Sequence, residues 1–176
     1  KDLEYFIFKT DKGFYDYFNR EGKNIKKSIL KTPIDGARLS SNFGMRKHPI
    51  SGYNKLHKGV DFAAPKGTPV YAGGDGSIDY LGRNGGYGKY IRIRHNNEYK
   101  TAYAHLSNFK NGLKKNDRVS QGDIIGYVGS TGNSTGPHLH YEILLANKQI
   151  NPMKLELPSG KILKGSELKR FNKEMN

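Results

Sequence analysis

Short apolar runs cut apart by Gly, Pro, Asn and Asp recur along the chain, and within them apolar and polar positions alternate with the two-residue period of a strand. In Tyr90–His95, Ile91 and Ile93 fall on one face and Arg92 and Arg94 on the other, as a half-buried strand requires. The same reading predicts strands over Pro69–Ala72, Ser77–Leu81, Tyr99–His105, Asp123–Val128 and His138–Leu145. Asn96-Asn97 separates two of these runs and predicts a hairpin. Nearer the start, Tyr5–Phe8 and Phe14–Phe18 read as two aromatic strands joined by the turn Thr10-Asp11-Lys12-Gly13. A second turn at Arg20-Glu21-Gly22-Lys23 leads into a basic segment that ends at Lys31.

Only the C-terminus carries a helical period, in Leu168, Phe171 and Met175, with Ser166 as the expected N-cap and Glu167 in the first turn. The expected fold is therefore mainly β: antiparallel sheets forming a sandwich or partial barrel, plus a short C-terminal helix. Residues 1–31 are expected to be the tail of a preceding domain or an N-terminal β arm. The main domain covers 32–152, opening near Thr32-Pro33, and 153–176 form a C-terminal extension. No internal repeat and no low-complexity segment is present.

A chain of 176 residues suffices for one domain with a full core, and twelve Tyr and eight Phe, without any Trp, must supply much of its bulk. Cysteine is absent, which rules out disulfides and thiolate metal sites. No apolar run is long enough to span a bilayer, so no transmembrane segment is expected in this chain. The chain begins at Lys1 and reads as a processed or trimmed product, so the lack of a leader says nothing about compartment. A formal charge of +14 favours a polyanionic partner: nucleic acid, an anionic membrane surface or an acidic cell wall. Its local clusters, at Lys23–Lys31 and Lys161–Lys173, are explained equally well by a solvated basic surface. A specific nucleic-acid partner is not expected, because no helix-turn-helix, zinc finger or RNA-recognition motif is present.

The chemistry lies in the spacing of the histidines. His138-Leu139-His140 opens a predicted strand, so both imidazoles project from one face with Glu142, while Leu139 and Tyr141 point to the other, toward the core. The glycine-rich loop Gly129–Pro137 delivers the pair at a strand end. In His57-Lys58-Gly59-Val60-Asp61, His and Asp are four apart, and an extended backbone puts both on one face. Taken alone, His57 and Asp61 read better as a structural hydrogen-bonded pair, because the motif is short. Together with one histidine of the His138/His140 pair they make three ligands for a borderline metal such as zinc, leaving a fourth position for water.

His57-Lys-Gly-Val-Asp61, then Tyr103-Ala-His105-Leu106, then Gly129-Ser-Thr-Gly-Asn-Ser-Thr-Gly-Pro-His138-Leu-His140-Tyr-Glu142 resemble the lysostaphin-type (LytM-domain) zinc metallopeptidases. Ser41–Pro49, containing His48, is similar to that family's lead-in to its first ligand, and the likeness runs from about Ile34 to Pro152. The flanking segments resemble the Gram-negative peptidoglycan D,D-endopeptidases, which carry inhibitory domains upstream. The resemblance implies an active-site groove with one catalytic Zn2+ held by His57, Asp61 and His140, and with His105 and His138 as the two catalytic, non-ligand histidines. One of these would act as general base and the other would stabilise an oxyanion, in an order the sequence does not assign.

It further implies a metalloendopeptidase acting on peptidoglycan stem peptides at the D-alanyl–meso-diaminopimelate bond, with D,D-carboxypeptidase activity beside it. An exported or periplasmic, cell-wall-associated location follows, the full-length protein being membrane-anchored in one version. The rival reading is a non-catalytic peptidoglycan-binding or amidase-activating module, which predicts the loss of a ligand; none is lost. Glu142 reads either as a second partner for a ligand histidine or as an ordinary strand carboxylate. His48 reads as substrate-facing or structural, and His95 as surface. Gly85-Gly86-Tyr87-Gly88 reads as a groove-wall loop with one exposed aromatic, and Asp75, Glu98 and Asp123 as solvated turn residues.

Overall fold

The computed structural model describes residues 4–13, 15–24, 29–47, 50–155 and 161–176. In chain order the strands are β1 (Phe6–Lys9), β2 (Tyr15–Phe18), β3 (Arg38–Ser41), β4 (Gly44–Lys47), β5 (Asn54–His57), β6 (Val60–Ala63), β7 (Pro69–Tyr71) and β8 (Gly76–Arg83). After a 3-10 turn at Gly85–Tyr87 come β9 (Lys89–Arg94), β10 (Tyr99–Leu106), β11 (Asn108–Phe109), β12 (Arg118–Val119), β13 (Ile124–Tyr127), β14 (His138–Leu145) and β15 (Lys148–Ile150). The helix α1 (Gly165–Met175) follows, the one α-helix among the described residues. The fold is mainly β with antiparallel sheets, as expected, and among the described residues no sheet closes into a barrel.

The chain divides into two units, 29–155 and 1–28 with 156–176. In 29–155 an eight-stranded sheet runs in the order β12-β8-β9-β10-β14-β6-β3, with β15 paired to β14. A three-stranded sheet, β11-β13-β7, and the two-stranded hairpin β4-β5 complete it. Register explains its core. Ile91, Tyr103, Tyr141 and Val60 are successive cross-strand neighbours, as are Ile78, Ile93, Thr101 and Ile143, and all eight are fully buried. Each such aliphatic side chain contributes roughly 1.5–3 kcal/mol by leaving water. The small sheet lies against this face: a Cβ added at Gly126 would stand 3.2 Å from the Leu106 side chain and 3.8 Å from that of Ile91.

The other face of the large sheet carries Ala102 and Ala104 beside Tyr90 and Leu144, with Tyr80 and Tyr87 packed against them. These alanines keep that face low next to β14, and the histidines occupy the space. Strands β3 to β6 precede the first main-domain run that periodicity marks. Strands β3, β4 and β5 are largely exposed and lack apolar alternation, so their sequence carries no strand signal.

In the other unit β1 and β2 pair as the predicted hairpin, with Phe6 opposite Phe18; Phe14 lies outside the described residues. Phe8, Phe18, Leu163 and Phe171 form its buried core, with Leu168 and Met175 packed on it, so the helical period reads correctly. Phe8 and Phe171 meet edge to face at 5.2 Å. The cap differs from expectation: Lys164 is the N-cap, with no side-chain cap bond, and Ser166 sits inside the first turn. Glu167 accepts instead from Asp11 N at 2.7 Å and Lys161 Nζ at 2.6 Å.

Candidate metal centre

Pairing of β6 with β14 sets Asp61 directly opposite His140. His138, His140 and Glu142 share one face of β14, while Leu139 and Tyr141 are fully buried on the other, as the period predicts. His57 arrives differently from expectation. It ends β5, and the chain bends at Lys58-Gly59 before β6 begins, so His57 and Asp61 do not lie on one continuous strand. Gly59 permits the bend, because a Cβ there would stand 2.3 Å from Tyr141 O and 3.0 Å from His140 Cε1.

His57 Nε2, His140 Nδ1 and Asp61 Oδ1 form a triangle with edges of 3.1, 2.9 and 3.1 Å. The outward partners decide what this triangle can hold. His57 donates its Nδ1–H to Asn42 O at 2.7 Å, and His140 donates its Nε2–H to Glu142 Oε1 at 2.9 Å. Both inward nitrogens therefore present lone pairs, facing each other and a carboxylate oxygen. Three acceptors at this spacing need a cation between them. Ligands about 2.05 Å from a tetrahedral ion stand about 3.3 Å apart, so spreading the triangle by a few tenths of an ångström seats one. The residues present thus fit a metal ion, and the three form a metal-binding group.

Without an ion between these groups, a proton takes the cation's place. Burial opposes the charge on His140, but its bonds to Asp61 and Glu142 outweigh burial and raise its pKa to about 9. Burial likewise opposes the charge on Asp61, yet hydrogen bonds from His140 and His57 hold its carboxyl far below the usual range. Glu142, 1% exposed, also accepts from Tyr87 OH at 2.7 Å and Gln149 Nε2 at 3.1 Å. It is a partner of the histidine, not a free strand carboxylate.

His105 reaches the groove through an irregularity. Regular alternation would turn it with Tyr103 into the core, but the β9–β10 register slips between Tyr103 and Leu106. His105 adopts φ 59°, a left-handed conformation uncommon for a residue with a Cβ. Its ring then lies 4.8 Å from that of His138 and 5.8 Å from that of His140. His105 donates Nδ1–H to Thr131 O at 2.7 Å, and His138 donates Nδ1–H to Gly136 O at 2.8 Å. The Nε2 of His138 stands 3.8 Å from Asp61 Oδ1. Burial pushes His105 down to about 4, so it is neutral at neutral pH.

These groups line a cleft of about 610 Å³. Arg46, Ile50 and Lys55 contribute to one wall; Gly86, Tyr87 and Asn133 contribute to the other. The second wall is clasped by glycine. Asn133 N donates to Gly86 O at 2.8 Å, and a Cβ at Gly132 would stand 2.4 Å from that same oxygen. Tyr87 does line the groove, but it is half-buried and tied to Glu142 rather than exposed. Asn42 and Thr131 act through backbone carbonyls, for which side-chain identity carries no signal. Arg46 lies in the Ser41–Pro49 segment, whereas His48 falls outside the described residues. His95 is half-buried and bonded at both nitrogens, to Asp75 O and Thr101 Oγ1. Asp75, Glu98 and Asp123 are exposed.

Residues 55–152 match the model for Peptidase family M23. The peptidoglycan DD-endopeptidase ShyC of Vibrio cholerae is 43% identical over 157 residues, covering 89% of this chain and 36% of that protein. The DD-carboxypeptidase/endopeptidase Mpg of Neisseria meningitidis is 50% identical over 127 residues, covering 72% of this chain and 29% of that protein. A crystal structure of a zinc containing peptidase from Vibrio cholerae superposes with a TM-score of 0.70 at 37% identity, covering 88% of this chain and 47% of that chain. The chain thus spans about a third of the length of the curated relatives it matches. Among the described residues no helix is long and apolar enough to cross a membrane.

Proposed function

The chain belongs to peptidase family M23, and on that premise we propose that it is a zinc endopeptidase that hydrolyses the peptide cross-links of bacterial peptidoglycan. One observation carries the reading: a carboxylate and two histidines, both rings oriented from behind, stand in one groove with two further histidines anchored through Nδ1. His57, Asp61 and His140 would hold the ion. Bound zinc supplies a water of lowered pKa and a polarised carbonyl.

The chain's own residues account for the proton traffic. His105 and His138 each anchor Nδ1–H on a backbone carbonyl, so each can accept a proton at Nε2 without turning its ring. One takes the proton of the attacking water and returns it to the leaving nitrogen. The other, once protonated, donates to the oxyanion of the tetrahedral intermediate. Tyr87 keeps Glu142 on His140, and the Gly86–Asn133 clasp gives an extended peptide a fixed wall.

The relatives named for DD-endopeptidase and DD-carboxypeptidase activity support the D-alanyl–meso-diaminopimelate bond as the target, with trimming of uncross-linked stems by the same chemistry. An exported, cell-wall-associated location and an inhibitory domain upstream belong to the same proposal. The complete ligand set argues against a binding-only module. Mass spectrometry of purified muropeptide dimers, incubated with the zinc-loaded protein, tests it. Conversion to monomers that a chelator stops is expected; intact dimers would overturn the proposal.

A further inference from the structure

We propose that Arg46 and Lys55 form a carboxylate-binding subsite beside the metal centre, which selects substrates bearing a free carboxylate on the carbon that carries the scissile nitrogen. The inference rests on the proposed function and narrows its substrate class.

The hairpin β4-β5 pairs Arg46 directly with Lys55, and Gly44 with His57. With alternation along each strand, Arg46 and Lys55 share a face with His57, and both line the groove. Like charges directly opposite one another on a sheet repel and destabilise the pairing. No acidic side chain of the hairpin relieves them. Among the described residues, Asp61 is the only acid that lines the groove, and its Oδ1 is engaged by His57 and His140.

Arg46 reaches only the second oxygen, with Nη2 3.5 Å from Asp61 Oδ2. Direct charge-assisted bonds are about 2.7–2.9 Å long, so this contact leaves the planar fork of the guanidinium unsaturated. Lys55 makes no ion pair among the described residues. The opposite wall, at Gly86, Tyr87 and Asn133, carries no charge. A like-charged pair held open on one wall is a cost that an anionic ligand removes. The position of Arg46, 3.5 Å from Asp61, places that anion about one residue from the reacting bond.

Both proposed substrates meet the requirement. In a cross-link through meso-diaminopimelate, a diamino diacid, the carbon bearing the scissile nitrogen also bears a free carboxylate. In an uncross-linked stem that ends in D-alanyl-D-alanine, that carbon bears the chain-terminal carboxylate. A bridge of internal glycines has neither.

The test uses four synthetic muropeptides: the cross-linked dimer with that carboxylate free or amidated, and the pentapeptide with its terminus free or amidated. Parent, Arg46→Gln and Lys55→Gln proteins are assayed at measured zinc content. The parent is expected to favour each acid by about 10- to 100-fold in kcat/KM. Arg46→Gln should compress the ratio to about threefold or less, chiefly by raising KM on the acids, with a partial effect from Lys55→Gln. A preference confined to the dimers, or to the pentapeptides, identifies which carboxylate is read. Equal use of acid and amide by the parent, or equal losses on both in the two variants, overturns the subsite and leaves Arg46 a support for Asp61. A zinc-loaded protein that cuts none of the four refutes the proposed function instead. Calorimetric binding of the acid and amide peptides then decides the subsite, and equal affinities overturn it.

Discussion

Glu142 Oε1 accepts the Nε2–H of His140 at 2.9 Å, which fixes the tautomer that aims Nδ1 at Asp61 and His57. Such outer carboxylates orient a ligand ring and raise its basicity, and losing one loosens a metal about 10- to 100-fold. Glu142→Ala should show a loss of that size in competition with a chromogenic chelator, with Glu142→Gln between it and the parent. Parent-like affinity in both would reduce Glu142 to a packing partner of Tyr87 and Gln149.

The left-handed backbone at His105 supports a second expectation. A residue with a Cβ held at φ 59° stores strain on the order of 1–3 kcal/mol, whereas glycine adopts that conformation freely. Ordinarily Gly in a strand is about 0.5–1 kcal/mol less stable than Ala. At position 105 the order should reverse, with His105→Gly melting at or above His105→Ala. Turnover should fall about 10²- to 10⁴-fold in both, as loss of a proton-transfer group would give. If Ala melts higher than Gly, the bulge is unstrained; if turnover is unchanged, His105 leaves the catalytic set.

These two features mark where reading the sequence stops working. The side-chain period of a strand is local, so His138, His140 and Glu142 could be placed on one face, with Leu139 and Tyr141 in the core, from spacing alone. The turn of His105 onto that face depends on a register slip against β9, which no local pattern announces. The convergence of His57 and Asp61 was expected for the wrong reason, since they belong to different strands. The shared core of Phe8, Phe18 and Phe171 joins the two ends of the sequence. Each face was visible as apolar, but periodicity does not name the partner that covers it.

Gly59 makes the bend a testable object. An added methyl would stand 2.3 Å from Tyr141 O, a backbone atom of the central strand that cannot swing aside, and 3.0 Å from the His140 ring. Gly59→Ala should cost about 1–3 kcal/mol, as overpacking does, and should weaken metal retention by displacing His140. Gly136→Ala is the contrast: nothing lies within 4 Å of its added carbon, and its melting temperature should match the parent. Equal behaviour of the two variants in thermal melts and chelator competition would refute the role given to Gly59.

His95 predicts how the fold responds to acid. Gly73 N donates to Tyr103 OH, which leaves the Tyr103 hydroxyl to donate to Thr101 Oγ1, and the Thr101 hydroxyl to donate to His95 Nε2. His95 completes the chain by donating Nδ1–H to Asp75 O. The whole chain therefore needs a neutral imidazole with a lone pair on Nε2. Burial, the largest influence, lowers the pKa of His95 below its ordinary 6.5, against a smaller opposing effect of Asp75. The folded state thus binds this proton less readily than the unfolded chain. Above pH 6.5 both states are neutral and the network contributes in full; below it the unfolded chain takes up the proton first, and stability falls with pH toward the folded-state pKa. His95→Gln should lose about 0.5–1.5 kcal/mol at pH 7.5 through its altered hydrogen bonds, yet lose less than the parent on going from pH 7.5 to 5. Thermal melts of the two proteins at both pH values, at equal metal content, decide the matter. Parallel losses would show that the acid sensitivity lies elsewhere.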